Sequence, residues 1–431
     1  MTHLINYNPH LMATVNVGLV GYGLSTTAFQ IPTITVVDNA KVYAVVQRSA
    51  PPDPASNPKR GSHVTVDYPD VKHYRDTDSL FKDPDVHLVI ISTPSPGHYD
   101  LARAALEHGK HVVVEKPFCP TTKECTELIT LAASKSLLLT VYQNRRFDSD
   151  FLTLKKYLNT TPSSKLLHPT ISVTSQFNRY RLPDSTAGSA QKAWKTENVP
   201  GNGILYDLGS HLIDQVLNLF GLPDWLWAHT DNQRQTQPLA VDDSFSVYMY
   251  YAAGSEAGKR NGNCPITVEL KSSMVSAVPR QNRWVVKGWW GSYKKFGMDV
   301  QEEQLRANGV SAIHREDYGA EDVLEWPEIT IPDGEAEDDH LEAVFGKVAT
   351  LKKAGGFING KVKPEKGDYV EYYRNVIGCV SRVLGGEDAS TVKKDLHVKP
   401  EEARDVIGVI ELAKESSTTG NRVEVRERLK F

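Results

Sequence analysis

Three side chains in this sequence have the types and spacing of a proton-transfer site. Asp207 and His211 stand four residues apart within residues 203–221, Gly-Ile-Leu-Tyr-Asp-Leu-Gly-Ser-His-Leu-Ile-Asp-Gln-Val-Leu-Asn-Leu-Phe-Gly. The apolar residues Ile204, Leu205, Leu208, Leu212, Val216, Leu219 and Phe220 recur every three or four positions, so the stretch reads as one helix with a buried face. On such a helix a residue and its fourth neighbour share a stripe, and the Asp207 carboxylate can orient the His211 imidazole. An ordinary helical pair is worth only ~0.3 kcal/mol, so the spacing gains chemical meaning only from its company. That company is Lys116, in Glu115-Lys116-Pro117-Phe118, directly after an apolar run. Of the two candidate bases lysine is the costlier: lowering ~10.4 to 7 takes about 3.4 pKa units, or roughly 4.6 kcal/mol. Imidazole, near ~6.5, needs almost none. The expected roles are His211 as proton acceptor, Asp207 as its orienter, and Lys116 as a donor to a substrate oxygen that gains negative charge.

Such a site needs elements that position it. Residues 15–20 form a short apolar run that ends in Gly21-Tyr22-Gly23-Leu24-Ser25-Thr26 and then a helical pattern. A strand, a glycine turn and a helix N-terminus together suit a dinucleotide pyrophosphate: Gly21 permits the turn, and Gly23 lets the backbone approach the phosphates. The third glycine of that fingerprint is Thr26 here, which predicts a slightly wider packing of helix on strand. Further strands are expected at 41–46, 86–92, 111–114 and 137–142, with helices at 97–108 and 121–136 between them. Alternation of this kind implies right-handed crossovers and a doubly wound parallel sheet, with its ligand crevice at the carboxyl ends of the strands.

The residues at those ends are the candidate cofactor contacts. After the second strand stands Gln47-Arg48-Ser49, where an acid would hold a ribose 2′-hydroxyl; Arg48 suits a 2′-phosphate instead. NADP(H) is therefore the preferred cofactor, with NAD(H) possible. Thr93, Pro94 and His98 follow the third strand, Glu115 and Lys116 the fourth, and Asn144 the fifth, in Tyr142-Gln143-Asn144-Arg145-Arg146-Phe147. Together with Gly21, Tyr22, Gly23, Leu24, Ser25, Thr26, Arg48 and Ser49 they complete the expected cofactor set. For the substrate, Arg145, Arg179, Tyr180 and Trp194 join Lys116, Asp207 and His211, because a polyol offers apolar ring faces and rims of hydroxyls to an aromatic platform with fixed donors.

Composition narrows the function classes. The chain has 431 residues, 40% of them hydrophobic, enough for two or three domains with real cores. A net charge of -4 and the lack of a basic tract argue against a nucleic-acid partner. No run approaches the ~18 apolar residues of a membrane span, and residues 1–14 lack the pattern of a signal peptide, so a soluble cytoplasmic protein is expected. The four cysteines show no Cys-x-x-Cys spacing, and no metal site is expected.

Taken together, Gly21-Tyr22-Gly23, Glu115-Lys116-Pro117, Tyr142-Gln143-Asn144-Arg145-Arg146-Phe147 and Tyr206-Asp207-Leu208-Gly209-Ser210-His211 resemble the Gfo/Idh/MocA oxidoreductase family, closest to its NADP-dependent scyllo-inositol dehydrogenase branch. The likeness runs from about residue 15 to near the C-terminus. It implies an N-terminal Rossmann domain, residues 1–146, and a substrate-binding and oligomerisation α/β domain with a large, mostly antiparallel sheet, residues 147–431. It also implies a catalytic set that falls on Lys116, Asp207 and His211. Independently, residues 170–178, 244–251, 266–273 and 283–288 alternate as strands of one broad antiparallel sheet. With helices on one face, the other face needs cover, which predicts a homodimer or larger homo-oligomer. Residues 252–265 and the acidic 333–342 read as loops, and residues 331–368 are longer than in the bacterial branch. Two rival classes remain at this point: a cofactor-binding transcriptional repressor on the same fold, which could dispense with Lys116, Asp207 and His211, and a metal hydrolase, for which no further ligands stand nearby.

Overall fold

The computed structural model describes residues 13–159, 166–182, 198–236, 240–334 and 351–430. Six strands build the first sheet: β1 (Val15–Val20), β2 (Ala40–Val46), β3 (Lys72–Tyr74), β4 (Leu88–Ile91), β5 (His111–Glu115) and β6 (Leu139–Tyr142). Their spatial order is β3-β2-β1-β4-β5-β6, and every pairing is parallel. β4 and β5 are buried throughout, as strands covered on both faces must be. The order reverses beside β1, so the crevice between the carboxyl ends of β1 and β4 is the topological switch point. β3 is an addition to the sequence reading; its Lys-His-Tyr triplet is too short and too polar to announce a strand.

The second sheet has ten strands. β7 (Thr170–Gln176), β8 (Trp225–Asp231), β9 (Ser244–Tyr251), β10 (Ile266–Ser273), β11 (Asn282–Gly288) and β12 (Ser292–Phe296) form its body. β13 (Glu328–Pro332), β14 (Lys352–Ala354), β15 (Phe357–Lys361) and β16 (Val423–Glu424) extend its edges. The order is β14-β15-β13-β12-β11-β7-β10-β9-β8-β16. All pairs but one are antiparallel; β7 and β10 run parallel. The expected loop at 252–265 instead contains a short helix, Glu256–Arg260, whose start is capped by Ser255. Of the acidic stretch 333–342, only Asp333 and Gly334 fall among the described residues.

Burial alternates along β9 and β10, so one face of this sheet is packed and the other is not. The helix Pro400–Thr419 lies against β8 and also against β6 and the helix Thr122–Ser134 of the first sheet's layer. Thr140 donates to the carbonyl of Val398 at 2.7 Å, and Thr122 to Glu411 at 2.7 Å. The helix Val370–Leu384 packs against β1. The C-terminal helices therefore bind both sheets together, which fixes the mouth of the first sheet relative to residues 203–221.

Candidate active site

The glycine turn has the shape that a dinucleotide requires. Gly21 holds φ +103°, and a Cβ there would come within 2.5 Å of the Ser92 carbonyl oxygen, so only glycine fits. A Cβ on Gly23 would meet nothing within 4 Å, and Leu24 is 56% exposed, so the turn faces open space. Thr26 does not loosen the packing as expected. It is fully buried, and its hydroxyl donates to the Gly21 carbonyl at 2.8 Å and lies 3.0 Å from the Ser92 hydroxyl, tying the turn to β4. Tyr22 donates to Asp67 at 2.5 Å, and Asp67 also accepts from the Gly61 amide, which seats the loop after β2 beside the turn. Arg48 and Ser49 lie exposed in that loop, and among the described residues no acceptor binds the Arg48 guanidinium. Thr93 leaves a buried hydroxyl without a partner at the end of β4, beside exposed Pro94. An open turn and an orphaned hydroxyl along one sheet edge fit a nicotinamide dinucleotide.

Other expected cofactor contacts are engaged within the protein. His98 is buried, and its two ring nitrogens lie 2.9 Å from the carbonyls of Thr93 and Pro117. It links the loops after β4 and β5, and burial pushes its pKa down. The buried Glu115 carboxylate accepts from Ser25, from Gln30 at 2.5 Å and from the Lys116 amide at 3.1 Å. Burial raises its pKa against these bonds. Gln30, which sequence reasoning missed, also accepts from Tyr373 of the helix Val370–Leu384. Its one signal was a polar residue interrupting the apolar run Ala28-Phe29-Gln30-Ile31. Asn144 is buried, in the short helix Asn144–Phe147.

Residues 203–221 do not form one helix. A widened π turn, Leu205–Gly209, leads into the α-helix Ser210–Phe220. Gly203 begins it at φ +103°, where a Cβ would lie 2.4 Å from the Asp242 carboxylate. Asp242 in turn accepts from the Leu205 amide at 2.8 Å and pairs with Lys414. Asp207 stands within this wider turn and His211 in the regular helix after it. The Asp207 carboxylate meets Lys116, whose Nζ donates to Oδ1 at 2.9 Å and to the Asp207 carbonyl at 2.8 Å. Asp207 also acts on His211, where its charge favours the protonated ring. A charged donor outcompetes a neutral one, charge-assisted hydrogen bonds being roughly twice as strong.

His211 is 5% exposed, and its Nδ1 has no hydrogen-bond partner. Its pKa lies well below the usual imidazole value, through burial first, then through the charges of Lys116 and Arg145; Asp207 opposes them and Arg283 adds to them. The helix that carries it is held by its polar side. Asp214 takes Arg146 in a bidentate pair at 2.7 and 2.9 Å, and Gln215 donates to the Arg145 carbonyl at 2.7 Å while accepting from Arg283. The Asn144–Phe147 turn at the exit of the first sheet is thus fastened to the helix that bears His211. Arg145, expected to meet substrate, is buried and gives its terminal nitrogens to Asp148 at 3.3 Å and Glu302 at 2.7 Å, so it serves as an internal ion pair. Arg179 stacks on Phe177, 4.8 Å from the ring centroid, and Tyr180 is exposed in a bridge to Val275. Trp194 lies outside the described residues.

A parallel nucleotide-type sheet, its open glycine turn, and Lys116 after β5 reaching Asp207 on the segment that carries His211 define a two-domain α/β oxidoreductase. Residues 15–143 match the model of an oxidoreductase family with an NAD-binding Rossmann fold, and residues 167–294 match the GFO/IDH/MocA C-terminal domain. An uncharacterised oxidoreductase of Schizosaccharomyces pombe is 38% identical over 364 residues, 80% of this chain and 92% of that protein. A scyllo-inositol 2-dehydrogenase (NADP(+)) of Bacillus subtilis is 32% identical over 405 residues, 94% of each chain. The solved structure of a proposed oxidoreductase from Bacillus subtilis superposes with a TM-score of 0.74 at 28% identity, covering 96% of this chain and 99% of that one. The chain belongs to the Gfo/Idh/MocA family of oxidoreductases. Among the described residues no helix is long and apolar enough to cross a membrane.

Proposed function

We propose that this protein transfers a hydride between NADP(H) and a hydroxyl-bearing carbon of a sugar or polyol. The observation that carries the reading is the Lys116 ammonium, held by Asp207 beside a buried imidazole that burial keeps neutral. His211 takes the hydroxyl proton on oxidation and returns it on reduction. Lys116 donates to the same oxygen and stabilises its negative charge as it develops. Asp207 holds Lys116 in place. Bound NADP⁺ supplies the acceptor for the hydride, the two electrons and hydrogen that a CH–OH carbon releases as it becomes C=O. The inositol dehydrogenase likeness favours a polyol alcohol over a hydrolysable substrate. A screen of inositols, aldoses and anhydro-sugars with NADP⁺ and NAD⁺ tests it: reduction of neither cofactor by any of them, in protein that binds NADP⁺, would support the repressor class instead.

Arg48 carries the cofactor preference. Exposed and unpaired at the end of β2, with no acid beside it, it suits the 2′-phosphate. Arg48→Ala should weaken NADP binding by roughly tenfold or more, the worth of one charge-assisted contact, and leave NAD nearly unchanged. Equal losses in the two titrations would refute the role.

A second copy of the chain covers the open face of the second sheet. Trp225 and Trp227 stand there beside Tyr248 and Tyr250, with Trp225 stacked 5.1 Å from Tyr250 and Trp227 41% exposed. An aromatic sheet face of this kind is a normal interface core. Sedimentation equilibrium should give at least twice the monomer mass, and Trp227→Asp should lower it; a wild-type monomer at micromolar concentration would sink the assignment.

A further inference from the structure

Arg179 is positioned with more care than a surface arginine needs. It stands just past β7, where its amide donates to the Ser273 carbonyl at 2.9 Å and its carbonyl accepts from the Ser276 amide at 3.0 Å. Two guanidinium groups attend the same Phe177 ring, Arg179 at 4.8 Å and Arg145 at 5.0 Å from its centroid. Their charges are treated differently. Arg145 is answered by Asp148 and Glu302, and Lys116 by Asp207. Among the described residues no carboxylate or carbonyl accepts from the Arg179 guanidinium, although the residue is partly buried. Burial depresses its pKa; Asp207 and Glu302 pull it up, while Arg181 and Arg145 push it down. The shared Phe177 ring also carries Arg145, whose carbonyl accepts from Gln215 on the helix that bears His211, which places this cation on the side of the sheet that meets the proposed proton-transfer group.

A cation withdrawn from water without a counter-ion is costly, and buried charges are ordinarily paired. At a substrate site the missing partner can arrive with the ligand. We infer that the substrate is an acidic sugar, a polyol carrying a carboxylate, and that Arg179 takes the carboxylate while Lys116 and His211 act on a hydroxyl. This rests on the oxidoreductase reading above and narrows its substrate class. One unanswered guanidinium balances one negative charge and matches a carboxylate with two parallel hydrogen bonds. A phosphoryl group, at about -1.5 to -2, would want a second free cation as sheltered as Arg179, and Arg181, the other cation acting on it, is exposed to water.

The test is equilibrium binding to the NADP-loaded full chain, using pairs that differ only at one terminal carbon: glucuronate with glucose, galacturonate with galactose, gluconate with glucitol. Glucose 6-phosphate forms a third arm. In at least one pair the acid should bind roughly 10- to 100-fold more tightly, the range for hydrogen bonds to a charged group. Arg179→Gln should abolish that advantage, Arg179→Lys should restore part of it, and NADP affinity should stay the same in both variants. The inference is overturned if no pair favours the acid, if the advantage survives Arg179→Gln, or if the phosphate ester outbinds every carboxylate. An equal loss of NADP affinity in Arg179→Gln also overturns it, by assigning the arginine to the cofactor. Binding is read without turnover, so oxidation of a neutral sugar with no acid preference removes this inference and leaves the oxidoreductase reading standing.

Discussion

Replacing His211 by alanine should lower turnover about 10²- to 10⁴-fold, the usual contribution of a positioned acid–base group. The expectation rests on an imidazole that is 5% exposed, with Nδ1 unbonded and its pKa well below the ordinary histidine value. The groups that set this are named: burial, Lys116, Arg145 and Arg283 favour the neutral form, and Asp207 favours the charged one. The sign follows directly. In the oxidative direction only the unprotonated ring accepts a proton, so rate rises with pH through the folded-state pKa. Because that pKa is depressed, the rise should finish on the acid side of ~6.5, leaving oxidation flat across neutral pH. In the reductive direction the limb inverts, since the protonated ring is then the donor. His211→Ala should abolish the inflection as well as the rate. The rival assignment makes Lys116 the base and His211 a packing residue; a variant with near-normal turnover and the wild-type acid limb would decide for it.

The parts of this architecture that could be read from sequence are those set by local pattern. Mostly apolar runs at 15–20, 88–91 and 111–114 mark strands buried on both faces, and the glycine turn after β1 marks the crevice. Long-range partners could not be read that way. The apolar spacing through residues 203–221 is the same whether a π turn interrupts the helix or not. What opens the turn is Gly203 packed against Asp242, a residue on a different segment. Likewise Asp207 faces Lys116, 91 positions away in the chain, and local spacing alone pointed it at His211. Arginine shows the same limit. Arg145 and Arg179 look alike in sequence, yet one is answered by Glu302 and the other is not. His98 follows β4 in sequence, but the carbonyls of Thr93 and Pro117 that flank its ring are brought together only by the fold.

Lys116→Met should cut turnover by roughly two orders of magnitude or more, the scale for removing one donor aimed at developing charge, while cofactor affinity barely changes. The separation is expected because the side chain reaches away from the glycine turn, toward the Asp207 carbonyl and carboxylate of the second domain. Methionine nearly conserves volume, so packing around residue 116 survives. The Asp207 carboxylate keeps 31% of its side-chain surface in water and can be solvated, so the variant should fold. Asp207→Asn is the milder companion. It keeps the backbone carbonyl that accepts from Lys116 at 2.8 Å and loses only the charge, so it should reduce turnover by less than Lys116→Met does. Combining the two changes should cost little more than Lys116→Met alone, because Asp207 acts through the lysine. Three measurements separate this from a structural role: turnover at saturating substrate, the dissociation constant for NADP, and the acid limb of the pH profile. The limb belongs to His211 and should survive in Lys116→Met, moved to higher pH because the nearby positive charge that helped depress the imidazole has gone. A variant that loses NADP binding while keeping its turnover at saturation, or whose acid limb does not move, would take Lys116 out of the proton-transfer group.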